Sequence, residues 1–255
     1  MNIYVMLKQT FDTEERIVIS NGQISDDGVK YVINPYDEYA VEEALLQRDA
    51  HGGTVTVISV GPERTAEALR TALAMGADEA VLIDGDSIPG DEFSIATALA
   101  AYFGQQSVDL ILGGNFSVDS GGGQVAVRVA HLLGLPHASS ITKLDIAGGK
   151  ASVQRDAEGD TESLEVALPA VFTAQQGLNE PRYPSLPGIM KAKKKPFQRL
   201  GLGDLGLSEA DVAAKTNRLS LALPPERKAG QILKGDLAQQ AADLVQLLRT
   251  EAKLI

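Results

Sequence analysis

Hydrophobic positions along the chain fall into two kinds of run. Short continuous runs read as strands buried on both faces, and longer runs spaced three and four apart read as amphipathic helices. Ile3 to Leu7 is the first strand. Arg16 to Ile19 and Gln23 to Ile24 flank Asn21-Gly22, the signature of a tight hairpin. Asn34-Pro35-Tyr36-Asp37 opens a helix over about Glu38 to Arg48. Asp37 is its expected N-cap, and Glu38, Glu42 and Glu43 suit the positive helix end. His51-Gly52-Gly53 stops it, and Thr54 to Ser59 alternates as a strand. Gly61-Pro62-Glu63 turns into a helix through Ala74 that ends at Gly76. Then come a strand over Ala80 to Ile83, a helix over Asp91 to Phe103, a strand over Val108 to Leu112 and a helix over Gln124 to Leu133. Gly134-Leu135-Pro136 ends the last.

This alternation predicts an α/β fold, a doubly wound and mostly parallel sheet. Ligands of such sheets sit outside the carboxyl ends of the strands. The loops Leu7 to Phe11, Asn34 to Asp37, Val60 to Pro62 and Gly113 to Gln124 are therefore the candidate site. Ile141 to Ile146, Ser152 to Arg155 and Ser163 to Leu168 read as added antiparallel strands, turning at Gly148-Gly149. From 174 to about 235 periodicity is weak, and Pro181, Pro184, Pro187, Pro196, Pro224 and Pro225 argue for an extended arm. So long an arm makes sense if it packs on another chain. Gly235 and Asp236 start a final amphipathic helix with Leu237, Ala241, Leu244, Leu247 and Leu248 on one side. The expected organisation is an α/β domain over 1–180, an extended loop and arm over 181–235, and a C-terminal helix over 236–255.

Composition narrows the chemistry. The 255 residues include no Cys, no Trp and three His. Disulfides, thiolate catalysis and Cys-ligated metals are excluded, and an aromatic nucleic-acid platform is disfavoured. No apolar run reaches the ~18 residues of a membrane span, and Met1 begins no secretory leader. Net charge is −11 and uneven: −17 over residues 1–180, +6 over 181–228 and zero over 229–255. A basic segment on an acidic body reads either as a nucleic-acid tail or as an arm docked on an acidic surface.

Two glycine patterns compete. Gly201-Leu202-Gly203-Asp204-Leu205-Gly206 fits G-x-G-x-x-G but follows a Lys/Pro-rich stretch rather than a strand, so it reads as a decoy. Gly113 to Gln124 lies between a strand and a helix, where glycines let backbone N–H groups approach a phosphate, against the alternative of an ordinary strand–helix connection. Ser117 or Ser120 with Asp119 and His131 lacks a nucleophile elbow and gives no hydrolase triad. Asp156, Glu158, Asp160, Glu162 and Glu165 read as solvated hairpin acids rather than a metal site. Lys191, Lys193, Lys194 and Lys195 read as a solvated face or arm anchor.

The stretch Leu168-Pro169-Ala170-Val171-Phe172-Thr173-Ala174, continued by Leu178 to Lys195, is highly specific. It resembles the signature of the electron transfer flavoprotein β subunits. Val153 to Asp156, Gly159 to Glu162, Thr71 to Asp78 and Asn34 to Tyr36 fit the same family, and the likeness is strong from Ile3 to about Pro196. The resemblance implies one half of an αβ heterodimer with a Rossmann-like, adenine-nucleotide-binding fold. The α subunit would hold most of an FAD, and this chain would complete its site. The pair would accept electrons from acyl-CoA or other flavin dehydrogenases, as in fatty acid oxidation, and pass them to a membrane quinone oxidoreductase. The arm would wrap on α, the location would be a prokaryotic cytoplasm, and the chain itself would make or break no bonds.

The resemblance also implies a bound AMP. The matching positions are Met6, Asn34, Pro35, Tyr36, Asp37, Val60, and Gly114, Asn115, Phe116, Ser117, Val118, Asp119, Ser120, Gly121, Gly122, Gly123, Gln124 and Val125. Ser120 to Gly123 departs from the pattern, since many relatives carry bulkier polar residues there; backbone donors and Gln124 are left to hold the phosphate. Partner recognition maps onto Tyr183, Pro184, Ser185, Leu186, Pro187, Gly188, Ile189, Met190 and Lys191, with Leu186 as the anchor for a dehydrogenase pocket. The alternative is that Leu186 packs on its own body. Glu162 matches an acid near the FAD, pairing with an α-subunit arginine, against the alternative of a solvated hairpin acid. Two other functions stand beside the carrier. Gly90 to Thr97 partly resembles electron-bifurcating members, which hold a second FAD and react with NADH. A free-standing adenine-nucleotide-sensing module is the third, and the exposed arm argues against it.

Overall fold

The computed structural model describes residues 1–20, 22–227 and 229–255. Strands and helices run β1 (Asn2–Met6), β2 (Gln9–Phe11), β3 (Ile19–Ser20), β4 (Gln23–Ile24), β5 (Tyr31–Ile33), α1 (Pro35–His51) and β6 (Thr54–Gly61). They continue with α2 (Ala66–Met75), β7 (Glu79–Asp84), α3 (Glu92–Phe103), β8 (Leu110–Gly114), α4 (Val125–Leu133), β9 (His137–Ala147) and β10 (Lys150–Ala157). Last come β11 (Asp160–Ala167), β12 (Ala170–Ala174), α5 (Leu186–Ala192), β13 (Phe197–Leu200) and α6 (Leu237–Thr250). Two compact units result, one of Met1–Val18 with Ile24–Leu219, the other of Ile19–Gln23 with Ser220–Ile255.

The first unit carries a nine-stranded sheet in the order β11-β10-β9-β12-β8-β1-β6-β7-β13. The run from β9 to β13 is parallel, and β10 and β11 add the expected antiparallel hairpin. Strand β1 shows why its sequence is apolar throughout. Ile3 and Val5 meet α1 and α2 on one face through Val41, Leu45, Leu69 and Leu73. Tyr4 and Met6 meet α3 and α4 on the other through Leu99, Phe103 and Val129. A central strand covered on both sides has no solvent face to make polar.

Several expectations need correction. Helix α1 starts three residues before Glu38, with Asn34 at its N-cap. Pro35, whose fixed φ suits the first helical position, moves the start forward and leaves Asp37 inside the first turn. Strand β12, unassigned from the pattern, is fully buried between β8 and β9. The segment expected to run extended from 181 forms α5 and then β13, which adds an edge strand to the sheet beside β7. The G-x-G-x-x-G run therefore does follow a strand, but it opens only a single 3-10 turn over Leu202–Leu205. Ser20 and Gln23 flank the expected hairpin turn as β3 and β4, and Asn21 lies outside the described residues.

In the second unit α6 is capped by Asp236, whose carboxylate accepts the Gln239 N–H at 2.9 Å. None of its residues is buried, so Leu237, Leu244 and Val245 form an uncovered apolar side. No helix among the described residues is long and apolar enough to cross a membrane.

Candidate functional site

The chain moves outward from β1 through β6 to β7, then returns to the opposite side of β1 as β8. The connections leaving β1 and β8 therefore diverge, and the crevice outside their carboxyl ends is the expected ligand position. Met6 ends β1, Val60 lies at the end of β6, and Gly114 ends β8. Asn34 to Asp37 begin α1, beside the Gly114–Val125 loop. The residues singled out from sequence at these positions are thus brought together.

The tetrapeptide 34–37 fastens both walls of this crevice. Asp37 is buried, and its two carboxylate oxygens accept the Lys8 N–H at 2.7 Å and the Gly114 N–H at 2.9 Å. Burial pushes its carboxyl up to about 7 despite these donors. Asn34 does not cap α1 with its side chain; its amide donates to the Phe116 carbonyl at 2.9 Å and accepts the Val118 N–H at 3.1 Å. The Tyr36 and Phe116 rings lie 4.3 Å apart and tilted by 41°. Lys8, inside the predicted loop but not singled out, reaches across to Asp119 at 2.7 Å and Ser117 Oγ at 3.1 Å. That ion pair holds the Asp119 carboxyl below its usual value although desolvation acts the other way.

The β8–α4 loop is shaped for backbone donors. Gly121 and Gly123 adopt φ of +65° and +61°, conformations that side chains resist. Gln124 is the N-cap of α4 without a side-chain cap bond, which leaves the first N–H groups of α4 open to an external acceptor. Its Oε1 accepts instead from Arg128, at 3.1 and 2.8 Å. This donor set fits a nucleotide phosphate. A second depression, lined by Gly61, Asp84, Asp86, Arg199 and Gly201, fits one poorly because its carboxylates repel anions.

The remaining sites lie elsewhere. Glu162 on β11 stands opposite Arg155 on β10 and is paired to its Nε at 2.6 Å. Within this chain it is a paired acid, with its side chain 44% exposed. His131 is exposed in the last turn of α4, and Ser117 and Ser120 lie in the loop before that helix. Leu186 opens α5 and is 74% exposed, so it does not pack on its own body. Ser185 caps the helix by accepting the Gly188 N–H at 3.1 Å. Gly188 and buried Ala192 seat the helix on the end of α2, leaving Leu186, Ile189 and Met190 outward. Lys195 is an anchor, donating to the Leu73 and Ala77 carbonyls at the α2 terminus, where burial lowers its affinity for the proton.

The tether before this segment was missed. Arg182 grips buried Glu42 through two bonds of 2.8 Å, and its N–H adds a third. Glu42 and Glu43 fall between Val41 and Ala44 on the buried side of α1. A carboxylate on such a stripe demands a partner, which is the signal that could have found Arg182 and Asn179. Arg182→Ala is expected to destabilise the chain by roughly 1–2 kcal/mol, less than the roughly 3–5 kcal/mol of a fully buried pair because Arg182 is partly exposed. Faster proteolytic cleavage between 176 and 195 at unchanged protease activity is the check.

Comparison with known proteins agrees with this picture. The family described as Electron transfer flavoprotein domain matches residues 21–205. The chain is 55% identical to the electron transfer flavoprotein subunit beta of Bacillus subtilis, with both chains fully covered. It is 41% identical to the protein of that name from Syntrophomonas wolfei, covering 100% of this chain and 98% of the relative. For Methylophilus methylotrophus the identity is 34%, covering 97% and 98%. With a doubly wound sheet, a phosphate-suited crevice at its switch point and kinship along its full length, the chain belongs to the electron transfer flavoprotein β subunits.

Proposed function

We propose that this chain is the β half of a heterodimeric electron carrier whose α subunit holds most of an FAD. The observation that carries this reading is the crevice itself. Met6, Asn34–Asp37, Val60 and the 114–125 loop converge outside β1, β6 and β8, with the open N–H groups of the start of α4 among them. An AMP fits that crevice, with its phosphate at the 121–125 end. The flavin, when bound, supplies the redox chemistry. This chain's residues bind, orient and shield, and fixed charges such as the Glu162–Arg155 pair would set the field near the ring. The exposed Leu219, Leu223 and Ile232 and the uncovered side of α6 support an arm that packs on the α subunit.

Leu186 would enter a pocket of acyl-CoA or other flavin dehydrogenases, and a membrane quinone oxidoreductase would take the electrons onward, in the cytoplasm. Leu186→Ala is expected to slow electron uptake from a dehydrogenase about tenfold, since burying a leucine contributes roughly 1.5 kcal/mol or more. Flavin content and melting temperature should not change. Equal rates with every dehydrogenase tested would remove Leu186 from this role.

A cofactor census tests the whole reading. The chain is co-purified with its α partner, the complex denatured, and FAD and AMP quantified. One FAD and one AMP per heterodimer is the expected result. Two FAD and no AMP would make it a bifurcating flavoprotein, and a compact flavin-free monomer that binds nucleotide would make it a sensing module.

A further inference from the structure

Gly122, within the glycine run of the β8–α4 loop, has a close neighbour on α3. A Cβ placed on Gly122 would collide with Glu92 Oε1 and crowd the rest of that carboxyl group. Glu92 opens α3, and its backbone is held firmly. The preceding Asp91 caps α3 through the Ser94 N–H at 3.1 Å and accepts the Lys215 and Thr216 N–H groups at 2.8 and 3.1 Å. Among the described residues no ion pair and no side-chain hydrogen bond neutralises the Glu92 carboxylate. An unpaired negative charge therefore stands where a side chain at position 122 would begin.

We propose that Glu92 is a specificity-determining residue of the nucleotide site. It admits a nucleoside monophosphate and rejects di- and triphosphates. This rests on the reading of the 114–125 crevice as an AMP site. The first phosphate meets the open N–H groups at the start of α4, three to five residues beyond Gly122. A further phosphate that extends from it toward the loop wall adds one negative charge beside the carboxylate. Repulsion between two unit charges in a partly exposed site is worth about a tenfold preference. Discrimination of this kind works by opposing the wrong ligand rather than by tightening the right one.

The test uses the heterodimer stripped of its nucleotide, with AMP, ADP and ATP competing against labelled AMP. The wild-type complex should prefer AMP to ADP, and Glu92→Gln should shrink that preference about tenfold. Glu92→Asp, which keeps the charge, should retain most of it, and raising the salt should erode the wild-type preference. Flavin content and melting temperature serve as controls of folding for both variants. If AMP binds and the AMP:ADP ratio is unchanged in Glu92→Gln, the assignment of Glu92 is overturned while the AMP site stands. If the wild-type heterodimer binds no adenine nucleotide at this site, the AMP reading itself fails, and this inference with it.

Discussion

Gly114→Ala is expected to destabilise the chain by about 3 kcal/mol, near the top of the range for overpacking. Gly114 is where β8 meets the start of α1, and a Cβ there would overlap Asp37 Oδ1 and the Tyr36 Cβ and carbonyl carbon. The obstacle is backbone and a buried carboxylate rather than the tip of a flexible side chain, so it cannot step aside cheaply. Any shift of Tyr36–Asp37 also lengthens the 2.9 Å bond from the Gly114 N–H and the 2.7 Å bond from Lys8. Both walls of the crevice should loosen together, and nucleotide retention should fall with stability. Gly203→Ala is the control. Open space surrounds that glycine and its φ is ordinary, so a change within about 0.5 kcal/mol is expected. Urea unfolding of the two variants beside the wild type decides it. A Gly114→Ala midpoint equal to that of the control would show that α1 tolerates displacement.

Much of the fold is legible because the central strands are either apolar on both faces or alternate in the strand period. Ile3 to Leu7, Thr54 to Ser59 and Ala80 to Ile83 announce themselves, and Gly52 and Gly76 end the helices between them. What escapes is short or ambiguous. Strand β12 is five residues of Ala-Val-Phe-Thr-Ala, too brief for a period, and only its place between β8 and β9 makes it a strand. Strand β13 carries Gln198 and Arg199 and gains its identity from pairing with β7. Helix α5 hides behind Pro184 and Pro187, read as loop signals, although a proline in the first helical turn is favourable.

The site divides in the same way. The four loops could be located because strand ends are found from the pattern, and their convergence follows from the winding of the sheet. The fasteners could not. The Asn34 bonds to Phe116 and Val118 span 82 and 84 residues, and the Asp37 bond to Gly114 spans 77. Local rules pointed Asp37 toward helix capping, and the fold uses it at the sheet end instead. A residue that breaks a local rule at a ligand crevice is where sequence reasoning should be expected to fail.

Asp37 makes the second large prediction, because its carboxyl is held at about 7 by burial against an ordinary value of 3.8. The folded chain therefore holds this proton more tightly than the unfolded chain does. Between those two values the folded state binds more protons, so stability falls as pH rises, and the loss is complete above about pH 7. Each pH step of one across that window corresponds to about 1.4 kcal/mol, so the wild type should lose roughly 2 kcal/mol between about pH 5 and 7 from this group. Asp37→Asn carries no such titration. It keeps one acceptor oxygen and turns an N–H toward the other donor, so it should be less stable than the protonated wild type by about 1–3 kcal/mol. Other groups cancel in the comparison: Glu43, raised by burial, titrates in both proteins, and Asp91, held at about 2, lies below the window. The difference in unfolding free energy between wild type and variant, measured from about pH 5 to 8, should therefore shrink as pH rises. Parallel curves would mean that the two backbone N–H donors keep Asp37 ionised throughout, outweighing its desolvation. The fastener would then be a charged one, bound to Lys8 and Gly114 by stronger hydrogen bonds than a neutral carboxyl could make.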